Sequence, residues 1–264
     1  MPDADWSKYK QLRGRDLPPE VEFGSCRYSR RQVLKQDFYA AVGLYDRQEK
    51  NSAQPAQILF KVYHTDSLWG LPLGWLGRWL ARREIRAYHA LCGVDGVPQL
   101  LAVHGESAMV REFIPGCNLK EFRTQQKPDS DFYPELVAIL AEVHHRGMSH
   151  NDLAKPENIL VREDGRPVLI DFQIALGPKL PSFAPIRWII NRFISYMQGV
   201  DRYHLAKHYT FDRPEDFSPE QLRVARKKGL ILRLHGVVVR RPYRAVRHFV
   251  LRRWMLEESP RKAA

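Results

Sequence analysis

The stretch His150–Val161 reads H-N-D-L-A-K-P-E-N-I-L-V, and L-I-D-F-Q follows at Leu169–Gln173. Between the two lies E-D-G-R, at Glu163–Arg166, whose turn residues flanked by apolar segments predict a β-hairpin. Upstream, the pattern of Tyr133–His145 predicts a helix, with proline in its first turn and Gly147 just beyond its end. We therefore expect a helix, a polar loop and a tight hairpin in succession.

Three oxygen-bearing side chains occupy this unit at Asp152, Asn158 and Asp171. A hairpin brings its two ends together, so Asn158 and Asp171 can face the same divalent cation. Phosphoryl transfer from ATP requires such hard ligands for magnesium, a carboxylate that accepts the proton of the attacking hydroxyl, and a cation beside the phosphates. Asp152 is the candidate carboxylate. Lys61, in the apolar segment I-L-F-K-V-Y, is the candidate cation, with Glu84 as its helical ion-pair partner.

Simpler interpretations exist for each residue. Aspartate and asparagine are common in turns and caps, although this does not explain why Asp152, Asn158 and Asp171 occur together at these spacings. A lysine in an apolar strand can lie at a sheet edge with its ammonium group in water. A helical Glu84 flanked by arginines is commonly a solvated partner of those arginines. These alternatives stay open at this point.

Together, these motifs resemble those of the protein-kinase-like superfamily: the first stretch resembles its catalytic loop, and L-I-D-F-Q resembles its metal-binding D-F-G. The resemblance extends from about Gln32 to Gly177, more than half of the chain. It implies ATP and Mg²⁺ as cofactors. It further implies Asp152 as catalytic base, Asn158 and Asp171 as metal ligands, Lys61 with Glu84 as the phosphate-anchoring pair, Lys155 as a phosphate-contacting lysine and His150 as a brace of the catalytic loop.

The resemblance also suggests that R-E-F-I-P-G, at Arg111–Gly116, is the hinge between two lobes, where backbone groups of Glu112 and Ile114 would bond the adenine edge. In the helical part, Asp201 is the candidate for a buried aspartate that braces the catalytic loop. A surface aspartate is the alternative interpretation of Asp201.

Departures from the kinase pattern indicate an atypical, trimmed member, similar to RIO-like kinases and to bacterial lipopolysaccharide-core (Kdo/heptose) kinases. Asn158 follows Asp152 by six positions instead of about five, so the loop must bulge. Asn151 stands where the kinase pattern has an arginine between its His and Asp. That arginine usually contacts a phosphorylated activation loop, so its absence argues against switching by activation-loop phosphorylation. The glycine-rich loop is absent, and the small residues Ala40 and Ala41 are the candidates that let backbone N–H groups approach phosphate.

The pattern of elements predicts an α+β fold in which a small sheet lobe precedes a helical lobe, and the resemblance implies the two-lobe protein-kinase-like fold. An N-terminal antiparallel sheet of five strands carries one helix, predicted from about residue 76 to 91, and a mainly helical lobe follows. The predicted divisions are a polar leader over residues 1–30, an N-lobe over 31–114 and a C-lobe over 115–264. The C-lobe contains the catalytic loop at 150–173 and a basic helical part at 185–264.

Charge is concentrated near the C-terminus. The chain has 42 Lys and Arg against 30 Asp and Glu, and residues 185–264 alone hold 18 basic and 7 acidic side chains. Such a basic, apolar segment, together with Trp69, Trp75 and Trp79, suits an anionic membrane surface. A helical lobe with a solvated arginine face is the alternative. Because no groove-reading motif accompanies the charge, we expect no nucleic-acid partner.

The sequence shows no secretory signal and no apolar run of about 18 residues, so we expect a cytoplasmic protein, with peripheral attachment to the inner membrane face as an open possibility. The predicted function is transfer of the γ-phosphoryl group of ATP to a serine or threonine of an acceptor protein. The first alternative is a kinase of lipopolysaccharide-core sugars or another glycolipid at the membrane. The second is a pseudokinase that binds a partner or nucleotide without turnover.

Overall fold

The computed structural model of the chain describes residues 17–36, 39–49, 53–65, 74–177 and 183–226. The chain divides into two compact units, Met1–Arg213 and Pro214–Ala264. Every predicted site residue belongs to the first unit. The division at 213/214 differs from the predicted lobe boundary at 114/115, which stays a prediction.

A six-stranded antiparallel sheet forms the N-terminal part of the first unit, in the order β1-β2-β3-β4-β6-β5. Strands β3 and β4 lie in its centre and are buried on both faces. Their apolar and β-branched residues suit such a position. The strands are β1 (Glu20–Phe23), β2 (Cys26–Gln36), β3 (Ala40–Arg47), β4 (Gln57–Tyr63), β5 (Leu100–His104) and β6 (Ala108–Glu112).

The sheet has one strand more than the sequence predicts, because residues 20–23 and 26–30 of the predicted polar leader are strand residues. Val21, Cys26 and Tyr28 are buried in one of the clusters that cover the sheet. Their burial explains the pairing of β1 with β2, which the mixed charge of the surrounding residues conceals. The sequence predicts the first strand over residues 31–38, and residues 37 and 38 at its end lie outside the described residues.

Helix α1 (Gly74–Ala90) connects β4 with β5 and confirms the helix predicted here. Its buried residues include Leu80, Glu84, Ile85 and Tyr88, which recur at helical spacing on one face. Trp75 and Trp79 are exposed, whereas Trp69 lies outside the described residues.

The helical part contains the predicted hairpin. The two strands of the hairpin pair antiparallel, and the three-residue strand Gly116–Asn118 completes a second sheet. Gly116 has a φ of 144°, and a Cβ atom there would lie 2.1 Å from the carbonyl oxygen of Val161, so only glycine fits. The elements are β7 (Gly116–Asn118), α2 (Leu119–Gln125), α3 (Phe132–His145), β8 (Ile159–Arg162), β9 (Pro167–Leu169) and α4 (Ala184–Asp212).

Helix α4 has two different halves. From Ile194 onwards it buries one face, on which Met197, Val200 and Leu205 lie. Its first turns bury no residue: Trp188, for example, is 66% exposed. Within the described part of the chain, no helix is both long and apolar enough to cross a lipid bilayer.

The second unit contributes the short helix α5 (Pro219–Arg226) to the described residues. Most of the predicted basic C-terminal part, residues 227–264, lies outside them. With a sheet first and mainly helices after it, the α+β prediction is confirmed, and the architecture is compatible with a kinase-like fold.

Candidate active site

Lys61, Glu84 and Asp171 meet at the sheet face that carries α1. The Lys61 Nζ atom lies 2.7 Å from Glu84 Oε2 and 3.4 Å from Asp171 Oδ1. Lys61 is 5% exposed and Glu84 fully buried, so neither has the solvated position that the simpler interpretations describe. Tyr63 also donates a hydrogen bond to Glu84 Oε2.

Electrostatics fix the charges of this group. Burial alone would lower the pKa of Lys61, but the Glu84 and Asp171 carboxylates outweigh it and raise this pKa above its ordinary value. Burial acts to raise the pKa of Asp171, but the positive charges of Lys61, Lys35 and Arg111 hold that pKa well below its usual range. At neutral pH the site therefore presents an ammonium group beside an ionised carboxylate.

The residues of the predicted catalytic loop form a second group. Lys155 Nζ lies 2.5 Å from Asp152 Oδ2, and the Asp152 side chain is 17% exposed. Asn158 Nδ2 donates to the Asp152 carbonyl at 3.0 Å. The chain accommodates its six-residue spacing with successive turns, in which Lys155 N donates to the Asp152 carbonyl and Asn158 N to the Lys155 carbonyl, while Leu153 is buried.

Ile170 joins the two groups. Its backbone N–H donates to the Asn158 carbonyl at 3.0 Å, and its own carbonyl accepts from His150 Nε2 at 2.9 Å. Asp171 is the next residue. The two ends of the hairpin therefore lie side by side, as the sequence predicts, and His150 is attached to both the loop and the hairpin.

Asp201 of α4 holds the start of the catalytic loop. It is fully buried, and its carboxylate accepts hydrogen bonds from the backbone N–H groups of His150 at 2.7 Å and Asn151 at 2.8 Å. His144 Nε2 lies 3.2 Å from the same carboxylate. Of the two interpretations that the sequence leaves open for Asp201, the buried one matches its position.

Two site residues that are not glycine have left-handed backbone conformations, Asn151 with φ 69° and Asp171 with φ 65°. Such conformations are costly and concentrate at functional sites. Asn151 Nδ2 donates to the carbonyl of Ile174 at 2.9 Å and so ties the catalytic loop to the segment after Asp171. Asparagine tolerates this conformation better than the arginine of the kinase pattern would.

Ala40 and Ala41 are the first two residues of β3, and their side chains are buried. Ala41 pairs with Gln36 on one side and with Val62 on the other. The adjoining residues 37 and 38 lie outside the described residues. A backbone contact of Ala40 and Ala41 with phosphate stays a prediction.

Glu112 ends β6, and Ile114 lies two residues further along the chain. The Glu112 N–H donates to the Gln99 carbonyl at 2.9 Å, so a contact with adenine would use the Glu112 carbonyl. Both residues also line a cavity of about 250 Å³, between the loop 93–99 and the β8–β9 hairpin. None of Lys61, Asp152 and Asp171 lines this cavity, so it borders the predicted hinge and is separate from the charged part of the candidate site.

An apolar cluster that sequence reasoning missed lies on the Lys61 face of the sheet. Val42, Leu44 and Leu59 form it, and Phe113 of the predicted hinge packs against it. Val42 is the register partner of Lys61, which places the cluster beside the ammonium group. The alternation of apolar residues along β3 and β4 is the signal that could have identified it.

Arg111 is a second residue that sequence reasoning missed, because the sequence singles it out only as the first residue of the hinge. Its side chain is buried, and Nη1 donates to the Tyr88 hydroxyl at 2.5 Å. A single arginine at the end of a strand does not indicate from the sequence alone that its side chain is buried against a helix.

The donor set suits a hard divalent cation. The described residues contain no group of three or more His, Cys, Asp or Glu side chains that could hold a metal ion by themselves. Mg²⁺ commonly takes one or two protein ligands and completes its shell with substrate phosphates and water. The ionised Asp171 carboxylate and the amide oxygen of Asn158, whose NH₂ group is used on Asp152, fit this type of site.

Comparison with known proteins gives partial matches to protein kinases. A serine/threonine-protein kinase of Arabidopsis thaliana is 41% identical over 93 residues, which cover 30% of this chain and 16% of the relative. Serine/threonine-protein kinase C of Synechocystis is 38% identical over 87 residues, covering 30% and 16%. The maternal embryonic leucine zipper kinase of Danio rerio is 38% identical over 76 residues, covering 27% and 11%.

No protein-family model matches the chain. The matched segments span between 11% and 16% of the length of these three relatives. A third of this chain or less is thus similar to serine/threonine protein kinases, and together with the α+β fold this similarity supports placing the chain in the protein-kinase-like superfamily.

Proposed function

We propose that the chain is an ATP- and Mg²⁺-dependent phosphotransferase that moves the γ-phosphoryl group of ATP to a serine or threonine hydroxyl of an acceptor protein. The observation that carries the proposal is the buried contact of Lys61 with Glu84 and Asp171, beside the hairpin end at Asn158. A purely structural role does not explain why a cation, two carboxylates and an amide converge there.

Each side chain has one task. Lys61, oriented by Glu84, binds the α- and β-phosphates. Asn158 and Asp171 would hold Mg²⁺, which neutralises charge on the phosphates when it is bound. The apolar cluster of Val42, Leu44 and Leu59 offers a surface on which a nucleotide base can rest.

Asp152 acts at the acceptor. Its partly exposed carboxylate can orient the incoming hydroxyl and take up its proton as the phosphoryl group is transferred. Lys155, in contact with that carboxylate, places a positive charge where the transferred group carries negative charge. The backbone of this loop is fixed by Asp201 and needs little rearrangement.

The test is phosphate transfer from labelled ATP to casein-type proteins, with Asp152→Asn as the blank. Asp152→Asn should bind Mg²⁺-ATP as the parent does and lose turnover by about three orders of magnitude. Asp171→Ala should lose Mg²⁺-ATP binding. Asp131→Asn, which changes an exposed aspartate at the start of α3 that makes no capping hydrogen bond, is the matched control and should behave like the parent.

The same experiment tests the pseudokinase alternative. A parent that binds Mg²⁺-ATP but is no more active than Asp152→Asn on any acceptor would be a nucleotide-binding module without turnover. That outcome would contradict the proposed activity and leave the nucleotide site in place.

A second candidate function is phosphorylation of a lipopolysaccharide-core sugar or another glycolipid, by a protein that lies on the cytoplasmic membrane face. It is favoured by the first turns of α4, where Trp188, Ile189 and Phe193 are 66%, 59% and 52% exposed and Arg187 and Arg192 lie among them. Apolar side chains interleaved with cations suit an anionic lipid surface.

Two measurements separate these candidates. Label that appears on core oligosaccharide and never on protein would replace the protein-kinase proposal with the glycolipid one. Ile189→Glu with Phe193→Glu should abolish sedimentation with anionic vesicles if α4 binds lipid, whereas Val137→Glu, an exposed apolar position on α3, serves as the control.

A further inference from the structure

Two basic residues of neighbouring strands reach the same helix. Lys61 of β4 pairs in register with Met109 of β6, and Leu59 pairs with Arg111. Paired residues lie on one face of a sheet, so Lys61 and Arg111 are on the same face, two positions apart along it.

Their two partners are one helical turn apart. Lys61 contacts Glu84, and Arg111 donates from Nη1 to the Tyr88 hydroxyl at 2.5 Å. Residues four apart lie on the same side of a helix. Helix α1 is therefore attached to the sheet by two adjacent contacts, one to an acid and one to a phenol.

Arg111 is a buried cation whose hydrogen-bonding groups are only partly satisfied among the described residues. It is 7% exposed, and its guanidinium group lies 5.8 Å from the centre of the Tyr88 ring. Its Nε atom is buried without a hydrogen-bond partner among the described residues. Burying a cation in this way is costly, and such a cost is typically retained where the group has a task.

Tyr88 connects this contact with the metal-binding end of the hairpin. Its ring packs edge-on against Phe172, with centroids 5.5 Å apart, and Phe172 in turn packs against the His150 ring at 4.7 Å. Phe172 directly follows Asp171. A displaced Tyr88 would thus loosen Glu84 on one side and the Asp171–Phe172 segment on the other.

We propose that Arg111 is a positioning residue which, by holding Tyr88, keeps α1 docked so that Glu84 meets Lys61 and Phe172 supports Asp171. The proposal rests on the proposed function and adds a positioning residue to its site: contacts within the chain assemble the Lys61–Glu84 pair.

The test compares Arg111→Met, Arg111→Lys and Tyr88→Phe in the full chain. Arg111→Met removes the charge and the bond, whereas Arg111→Lys keeps a cationic donor. Tyr88→Phe keeps the ring against Phe172 and removes the hydroxyl. Arg86→Met is the matched control, because Arg86 is exposed on the same helix and its Nε bonds only to the Arg82 carbonyl of that helix.

The first readout needs no nucleotide. Amide hydrogen exchange along residues 84–88 should be about tenfold faster in Arg111→Met and Tyr88→Phe than in the parent, because a charge-assisted bond is lost. Arg111→Lys should restore most of the protection, and Arg86→Met should match the parent. Unchanged exchange in Arg111→Met would overturn the proposal whether or not the chain is a kinase.

The second readout is nucleotide affinity in the Asp152→Asn background, where turnover is silent. Arg111→Met and Tyr88→Phe should each weaken Mg²⁺-ATP binding by about tenfold, and the double variant should be no weaker than either single one, because both remove the same contact. Fully additive losses, or a loss that Arg111→Lys does not rescue, would overturn the positioning role. A parent without any Mg²⁺-ATP binding would instead contradict the proposed function, and the exchange result would still decide the attachment of α1.

Discussion

Two clusters of ionisable side chains in the described part of the first unit are built differently. One, here called the sheet cluster, lies between the sheet and α1; the other, the helix cluster, lies among α2, α3 and α4. The sheet cluster consists of Lys61, Glu84, Arg111 and Asp171, and the helix cluster of Arg123, Tyr133, His208 and Asp212.

In the helix cluster every member is engaged. Arg123 holds the Asp212 carboxylate with Nε at 2.7 Å from Oδ1 and Nη2 at 2.8 Å from Oδ2. Tyr133 donates to the same carboxylate. His208 accepts from Arg123 on one ring nitrogen and donates to the Leu153 carbonyl with the other. Within the described residues, no buried side-chain atom of this cluster lacks a partner.

The sheet cluster leaves two buried atoms unsatisfied among the described residues, Glu84 Oε1 and Arg111 Nε. Buried polar atoms are usually paired, so unpaired ones require an explanation. The difference teaches that a fully satisfied cluster braces the fold, whereas an incompletely satisfied one keeps charge available for a ligand. Variants of the two clusters should therefore fail in different ways, the first kind in stability and the second in activity.

The largest effect is expected for Lys61→Met. Loss of the ammonium group proposed to bind the phosphates should reduce ADP formation by about three orders of magnitude, since phosphoryl transfer depends mainly on positioning and on stabilising the charge of the transferred group. Because Lys61→Met also leaves the buried Glu84 carboxylate without its cation, circular dichroism measures the folded fraction and turnover is compared per folded molecule. Wild-type turnover in this variant would remove the sheet cluster from catalysis.

Arg123→Met should act on stability instead. It leaves the buried Asp212 carboxylate without its cation, which costs about 3–5 kcal/mol of unfolding free energy. Urea unfolding should report this loss, while turnover per folded molecule stays within about twofold of the parent. A variant that kept its stability and lost its turnover would reverse the roles assigned to the two clusters.

The sequence revealed the sheet cluster in part and the helix cluster not at all. The sequence singles out Lys61, Glu84 and Asp171 by their segments and their order, and the hairpin that leads to Asp171 is encoded locally by its turn residues. Arg123 and Asp212 are 89 residues apart and lie in segments without a motif, so their pairing depends on how α2 and α4 pack.

The same limit applies to Asp201 and to the strand Glu20–Phe23. For Asp201 the sequence allowed a surface position as well, because one aspartate in a helix does not indicate which face is buried. For the strand, the charged residues obscured an alternation that only pairing with β2 makes evident. For Asp201 the missing information is a contact with residues about 50 positions earlier in the chain. For β1, which pairs with its immediate neighbour in sequence, it is the burial of Val21 against the other strands of the sheet.

Asp201→Asn should have an effect of intermediate size on turnover. The carboxylate accepts from two backbone N–H groups, and an amide can accept with its single oxygen only, so one donor loses its partner. We expect kcat to fall by about 10- to 100-fold with little change in Mg²⁺-ATP affinity, since the loss concerns the loop of Asp152. Steady-state kinetics with a separate binding measurement checks this, and a pure change in nucleotide affinity would contradict it.

The smallest effect concerns pH and belongs to the helix cluster. Burial lowers the pKa of His208; the Leu153 carbonyl opposes this shift, and the positive charge of Arg123 adds to it. The ring nitrogen that accepts from Arg123 cannot also carry a proton in this arrangement, so the folded state holds His208 neutral. Below a pH of about 6.5 the unfolded chain binds this proton and the folded one does not, and stability is lost as the pH falls.

His208→Gln should therefore make the unfolding free energy less sensitive to acid. Glutamine can accept from Arg123 and donate to Leu153 without taking up a proton, and its effect on the slope should stay below about 1.4 kcal/mol per pH unit. Urea unfolding at pH 7.5, 6.5 and 5.5 measures it. Some slope should persist, because burial also lowers the pKa of His104, to about 4. An identical slope in the parent and in His208→Gln would show that the helix cluster tolerates the proton, and with it that this brace is less rigid than its contacts indicate.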